Sequence, residues 1–525
     1  MRKMPAVTPA ASPSPSPRLR QYLYFTAATT GMVIMVVEIL GAKMLAPYVG
    51  TSHFVWTAQI AVTLVALAAG YYAGGWLVDR AQNLGRLYGA ILVAAVYLCV
   101  TVVLVKPVAF WCLDFRLALG SLLASAILFF IPLALLAMVG PFFVRMLTSA
   151  VSNVGNNVGR LTAISTLGSF AGTILIGYVL IPYLPNSTTM LISAGALMCV
   201  TAGYFIAWGR KPAPVALVFL IGMAGLGVGG MGVARENRSP MPGAEVIFRG
   251  NSNFGQLMVA DVTNSATSRR YYMNDLLFQN IYDISNKQST AMFTYMLHGL
   301  AVAYTPKIDD ALCIGMGVGI VPRELARDHA KVDVVEINPA VVPVARDFFD
   351  CPLDQLNLTI GDGRQFLNRC SKKYDAVILD AFLGDSCPSH LMTREAFAAM
   401  RHVLRSNGVL VINTFGDLSP KHDFLSASLF KTLKGVFASV RIHHIPGHNM
   451  LFVASDQPEL KIFHPTDFSQ VHRACRDDVE STFSETPEPD LNNGIILTDD
   501  YNPVEFYDAA NREQLRRNLV AWLRR

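Results

Sequence analysis

Between residues 311 and 380, four hydrophobic runs each deliver glycines or a carboxylate at the C-terminal end. ALCI runs into Gly315-Met316-Gly317-Val318-Gly319, VDVVEI carries Glu336, LNLTI runs into Gly361-Asp362-Gly363, and YDAVILD ends at Asp380. Ligands of open α/β sheets sit beyond the carboxyl ends of the strands, so four such tips would converge on one nucleoside pocket. The glycine run alone is either a tight turn or a ligand loop. Glu336 follows Gly315 by 21 residues, the place from which an acidic side chain accepts both ribose hydroxyls, and this favours the ligand loop. Asp362, between Gly361 and Gly363, is either a turn former or a contact to an adenine edge, which backbone N–H groups can approach beside glycine. Asp380 ends a buried strand, as a helix cap or as a general base; its place at the switch point favours the base.

These tips need a parallel sheet to position them. From residue 311 onward strands alternate with the amphipathic helical stretches RELARDHA, AVVPVARDFF, TREAFAAMRHVLRS and ASLFKTLKGVF. This alternation predicts a doubly wound α/β sheet, Rossmann-like, over 311–525. SVRIHHIP and NMLFVASD read as an antiparallel pair closing its edge. Residues 245–310 read as a small β-subdomain with strands EVIF, GQLMVAD and RRYYMND, followed by a helix around Thr290–Tyr304.

The first half is a different kind of protein. Of 525 residues 52% are hydrophobic, and the excess lies before residue 240. Charge divides at the same place: residues 1–244 hold 15 Lys and Arg against 4 Asp and Glu, a balance of +11, which leaves 28 against 34, or −6, for 245–525. The global +5 is therefore no signal for nucleic acid. Uncharged runs at 54–78, 87–105, 117–144, 161–208 and 212–234, with Leu23–Val37 extended past Glu38, are each long enough to cross a hydrocarbon core of about 30 Å. Pro182 and Pro185 divide the longest run into two. The expectation is an all-α polytopic membrane domain of about seven helices over 21–236, preceded by a disordered Pro/Ser tail at 1–20 that is no cleavable signal.

Lys and Arg number four in the tail and two in each of the loops 79–86, 145–160 and 210–211, against about five on the other side. This places the N-terminus in the cytoplasm. Seven spans then put the soluble half outside, whereas a cosubstrate made in the cytosol argues the opposite, so its side stays open. Glu38 within the first span is either a structural carboxylate paired with a neighbour such as Lys43 or part of a substrate path. Small residues in LAAGYYAGG and LGSFAGTILIG mark close helix packing. The cysteines suit reduced thiols, and no Cys/His spacing suggests a metal.

Taken together, NFGQL at 253–257, the glycine loop, VEIN at 335–338, GDG at 361–363 and YDAVILD at 374–380 make the soluble half similar to the spermidine synthase (polyamine aminopropyltransferase) family. The first half resembles the multi-span domain fused to some bacterial members, implying a multi-pass protein of the cell's inner membrane. The resemblance implies an S-adenosylmethionine methyltransferase-type fold. Decarboxylated S-adenosylmethionine would be the cosubstrate, with Gly315, Gly317, Gly319, Glu336, Asp362 and Gly363 around it, no metal, and Asp380 as proton acceptor. The implied partners are a small-molecule amine and the lipid bilayer, with a homodimer possible.

The chain departs from the family on the acceptor side. Val318 stands where the family loop has an Asp for the aminopropyl amine, and the family's D-x-x-D pair is Asp380-Ala-Phe-Leu383, with Asp385 displaced by two. Family acidic residues in the preceding helix align with Ser289, Thr290 and Tyr295. A dication would find few partners there; Gln279, Tyr271, Tyr272 and Asp385 are the acceptor-side candidates. Two rivals stay open: an S-adenosylmethionine-dependent methyltransferase on the same core, and a transporter or sensor that only binds polyamine or nucleoside.

Overall fold

The computed structural model describes residues 15–148, 154–209, 212–236, 238–239, 241–264, 267–382, 384, 388–420 and 422–523. Contacts divide it into two compact units, one of residues 1–49 and 53–238, the other of 50–52 and 239–525.

The first unit is helical. Among the described residues, seven helices are long and apolar enough to cross a membrane by length and composition: Pro17–Val49, His53–Arg80, Leu84–Cys112, Leu117–Leu147, Val154–Tyr183, Asn186–Trp208 and Pro214–Glu236. The first begins at Pro17, so residues 17–20 belong to a helix and not to the expected tail, whose residues 1–14 lie outside the described residues. Glycine permits close approach of helix Val154–Tyr183 to this first helix: a Cβ on Gly168 would lie 2.1 Å from the Ala28 carbonyl oxygen, the small-residue contact expected between apolar helices. Glu38 is half-buried.

The second unit holds two sheets. The first is a five-stranded antiparallel meander: β1 (Glu245–Ser252), β2 (Gly255–Thr263), β3 (Ser268–Asn274), β4 (Leu277–Asp283) and β5 (Gln288–Ser289). β4 was not among the strands expected, and the helix that follows is Met292–Tyr304. The second sheet comprises β6 (Asp310–Ile314), β7 (Lys331–Glu336), β8 (Leu356–Ile360), β9 (Tyr374–Leu379), β10 (Leu404–Thr414), β11 (Ser439–His443) and β12 (Met450–Ser455). Its order is β11-β12-β10-β9-β6-β7-β8. β10, β9, β6, β7 and β8 are parallel, while β12 runs antiparallel to β10 and β11.

Both faces of this sheet are covered, which is why its strands read as nearly continuous apolar runs. Ala311, Cys313, Val334, Ile378 and Val411 face the core under helices Met292–Tyr304 and Ile320–Arg327. Their neighbours Leu312, Ile314, Val335, Leu379 and Ile412 face the core under Arg394–Val403 and Phe424–Lys434. The chain leaves β6 toward β7 on one side and returns to β9 on the other, so the switch point lies between β6 and β9, where a crevice opens at the carboxyl ends.

Candidate nucleoside and transfer site

Main-chain bonds tie the four tips together. The N–H of Gly315 donates to Val335 O (2.8 Å), that of Asp380 to Ile314 O (2.9 Å) and that of Gly361 to Glu336 O (2.9 Å). Gly315, at φ 91°, has no room for a side chain, since a Cβ would lie 2.2 Å from the Asp380 carbonyl oxygen. Gly317, at φ 52°, has open space on that side, as a loop facing a ligand requires. Gly319 precedes helix Ile320–Arg327 and Gly363 begins helix Gly363–Arg369. Gly315, Gly317, Gly361 and Gly363, but not Gly319, line a cavity of about 370 Å³ together with Glu336, Asp362 and Asp380, a size within the usual range for small-molecule sites.

Glu336 is buried, 7% exposed. Its Oε2 accepts from Met316 N–H (2.9 Å) and its Oε1 from Asn338 N–H (2.7 Å). Burial raises its pKa while these backbone donors work the other way. The donors fix the carboxylate plane, and each oxygen keeps a lone pair for a hydroxyl donor. The buried Tyr272 hydroxyl, on the same cavity, is held neutral by burial and by the charge of Glu336.

Asp362 is engaged in a way the sequence did not suggest. Its Oδ1 accepts from Gln365 N–H (2.9 Å), capping the helix, and its Oδ2 lies 2.8 Å from Nε2 of His390. The pairing and the cap hold its pKa below the usual range, against partial burial. An adenine amino group reaching this carboxylate would share it with His390.

At Asp380, Oδ1 accepts from Asn413 Nδ2 (2.8 Å), and Asn413 Oδ1 in turn accepts from Asn449 Nδ2 (2.9 Å). Asn449 thereby fixes which end of the Asn413 amide faces Asp380. Burial pushes the Asp380 carboxyl from 3.8 up to about 6; the Asn413 donor opposes this and the Glu336 charge adds to it. Such a pKa suits a base working near neutrality.

On the acceptor side, Gln279 on β4 lines the cavity and its Nε2 donates to Gly384 O (3.4 Å). Tyr271 does not line it. Neighbours on a strand face opposite sides, so Tyr272 turns to the cavity while Tyr271 packs on Phe278 and the cluster of Met241, Met258 and Met273. Asp385 lies outside the described residues. Val318 is buried, 2% exposed, against Leu257, Tyr272 and Ile320. The residues missed in sequence are Asn413, Asn449 and His390; only Asn413 had a signal, as a polar residue ending the apolar run VLVIN beside Asp380.

The second unit therefore carries a doubly wound α/β fold with acidic residues gathered at its switch point. More particularly, residues 291–450 match the spermine/spermidine synthase domain. A polyamine aminopropyltransferase of Vibrio vulnificus is 37% identical over 166 residues, 30% of this chain and 55% of that protein. An N-terminal histidine N-methyltransferase of Emericella nidulans is 27% identical over 311 residues, 53% of this chain and 54% of that protein. The chain thus spans about half the length of these relatives. The crystal structure of spermidine synthase from Thermotoga maritima aligns at 21% identity and a TM-score of 0.36, covering 43% of this chain and 79% of that one.

Proposed function

We propose that the chain is a membrane-bound aminopropyltransferase that moves an aminopropyl group from decarboxylated S-adenosylmethionine to an amine. The observation that carries this reading is the meeting of Glu336, Asp362 and Asp380 on one cavity, in a segment matching the spermine/spermidine synthase domain. Glu336 would hold the ribose, Asp362 and Gly363 the adenine, and the glycine loop the donor's main body. The amine nitrogen then attacks the carbon beside the sulfonium: a C–N bond forms, the C–S bond breaks, and its electron pair stays on sulfur as a neutral thioether. The amine proton passes to Asp380, without which the nucleophile stays an unreactive ammonium. Asn413 and Asn449 hold Asp380 in place for that transfer.

A second reading is favoured by Val318. An apolar residue in the donor loop does not select a bare propylamine, and intact S-adenosylmethionine would make the enzyme a methyltransferase, the activity named for the Emericella nidulans relative. The thioether released separates the two. Full-length protein in detergent, given either donor and a panel of amines, is expected to release methylthioadenosine from the decarboxylated donor. Release of S-adenosylhomocysteine instead assigns the methyltransferase, and consumption of neither donor with any amine removes both readings in favour of a binding protein.

A further inference from the structure

The cavity wall around Asp380 is aromatic. Phe382 lies two residues past Asp380, and Phe415 two residues past Asn413, the amide that Asp380 binds. Their rings meet at a centroid distance of 5.2 Å and 59°, so the hydrogen-bonded pair is flanked by a tilted ring pair. Phe254, Phe278 and Phe293 are half-buried on the same cavity. Among the described residues, the cavity's carboxylates other than Asp380 are already engaged: Glu336 by two main-chain donors, Asp362 by Gln365 and His390, and Glu505 by contacts of its own.

A linear diamine carries a second ammonium into the site, and a buried cation must be paired or stay in water. Rings offer the opposite selection: they reward burial of an apolar body and stack edge to face with another ring. A ring face also attracts the reacting ammonium. We propose that the acceptor is a primary amine with a single nitrogen on an apolar, ring-bearing body, an arylalkylamine, with Phe382 and Phe415 as the residues that determine this specificity. This rests on the aminopropyltransferase reading and gives its acceptor a chemical class. The reaction is unchanged: the arylalkylamine nitrogen bonds to the carbon beside the sulfonium, the thioether leaves, and Asp380 takes the proton.

The test uses full-length protein in detergent with decarboxylated S-adenosylmethionine, scoring methylthioadenosine released with 2-phenylethylamine, hexylamine, putrescine and spermidine. The expected result is a kcat/KM for 2-phenylethylamine about tenfold or more above that for putrescine. Phe415→Leu keeps the bulk and removes the ring. It should lower kcat/KM for 2-phenylethylamine by about tenfold and that for hexylamine far less, with methylthioadenosine binding retained as the check on folding. Phe382→Leu serves the same purpose should the first variant fail to fold. Putrescine or spermidine matching 2-phenylethylamine, or an aryl preference that survives both variants, overturns the proposal while leaving aminopropyl transfer standing. No turnover with any of the four amines overturns both.

Discussion

As the proposed base, Asp380 would serve two opposed requirements, because burial disfavours its charged form while general-base work needs that form. Its pKa of about 6 sets the expected pH dependence: kcat/KM falls as pH drops through about 6. Asn413→Leu removes the donor that favours the carboxylate, so this acid limb should move to higher pH; a limb that stays put denies Asn413 its positioning role. Asp380→Asn should cost about 10²–10⁴ in turnover while nucleoside binding persists, and wild-type turnover in this variant refutes the base. The same group makes a stability prediction. A folded pKa raised from 3.8 to about 6 stabilises the fold fully below pH 4, and this contribution is lost as pH rises through 6. Asp380→Asn should therefore melt above the wild type at pH 8, with the gap closing near pH 4; a lower melting temperature at pH 8 contradicts the burial argument. Glu336→Gln turns one acceptor oxygen into a donor in a site where backbone N–H groups already point at both. Methylthioadenosine affinity should fall by about 1.5–3 kcal/mol, and calorimetry showing no change excludes the ribose role.

At the scale of elements, the tips work only because the strands stop where the glycines let them cross. Gly315→Ala would place a methyl 2.2 Å from the Asp380 carbonyl oxygen at a φ of 91°, pushing two neighbouring tips apart. The expected outcome is lost nucleoside binding and destabilisation of about 1–3 kcal/mol, measured by ligand-shifted melting; normal binding would mean the loop has slack that its geometry denies. The tips, the crossover helices and the antiparallel edge were legible because two-sided burial writes them as apolar runs. β4 was not. The turn before it is Asp275-Leu276, both at positive φ (46° and 66°), a two-residue hairpin turn built without the glycine that usually announces one. The expected run RRYYMND consequently stopped at Asp275, inside the turn, and Leu277–Asp283 was left without a strand. The same kind of blindness misplaced TREAFAAMRHVLRS, whose helix stops at Val403 while Leu404 already belongs to β10. The partners of Asp362 and Asp380 were illegible for another reason: His390, Asn413 and Asn449 come from elements whose separation in sequence carries no information on which tips they reach.

For the whole molecule, the division of charge and apolarity at residue 240 matches no property that a soluble transferase needs. Among the described residues, seven helices of the first unit meet the length and composition for crossing a bilayer, and basic residues concentrated in alternate loops favour a cytoplasmic N-terminus. The chain should therefore remain in the membrane fraction through an alkaline carbonate wash and leave it only with detergent; extraction by carbonate would reduce the helices to a peripheral bundle. Seven crossings also put the two chain ends on opposite sides. Reporters fused at each end should report the cytoplasm at the N-terminus and the far side at the C-terminus, where a donor made in the cytosol would have to be delivered. Both ends in the cytoplasm would mean that one helix does not cross, and the least apolar of the seven, His53–Arg80, is then the one to delete from the count. The same result would place Asp380 beside the cytosolic donor pool, so topology decides whether catalysis needs a nucleoside supply across the membrane.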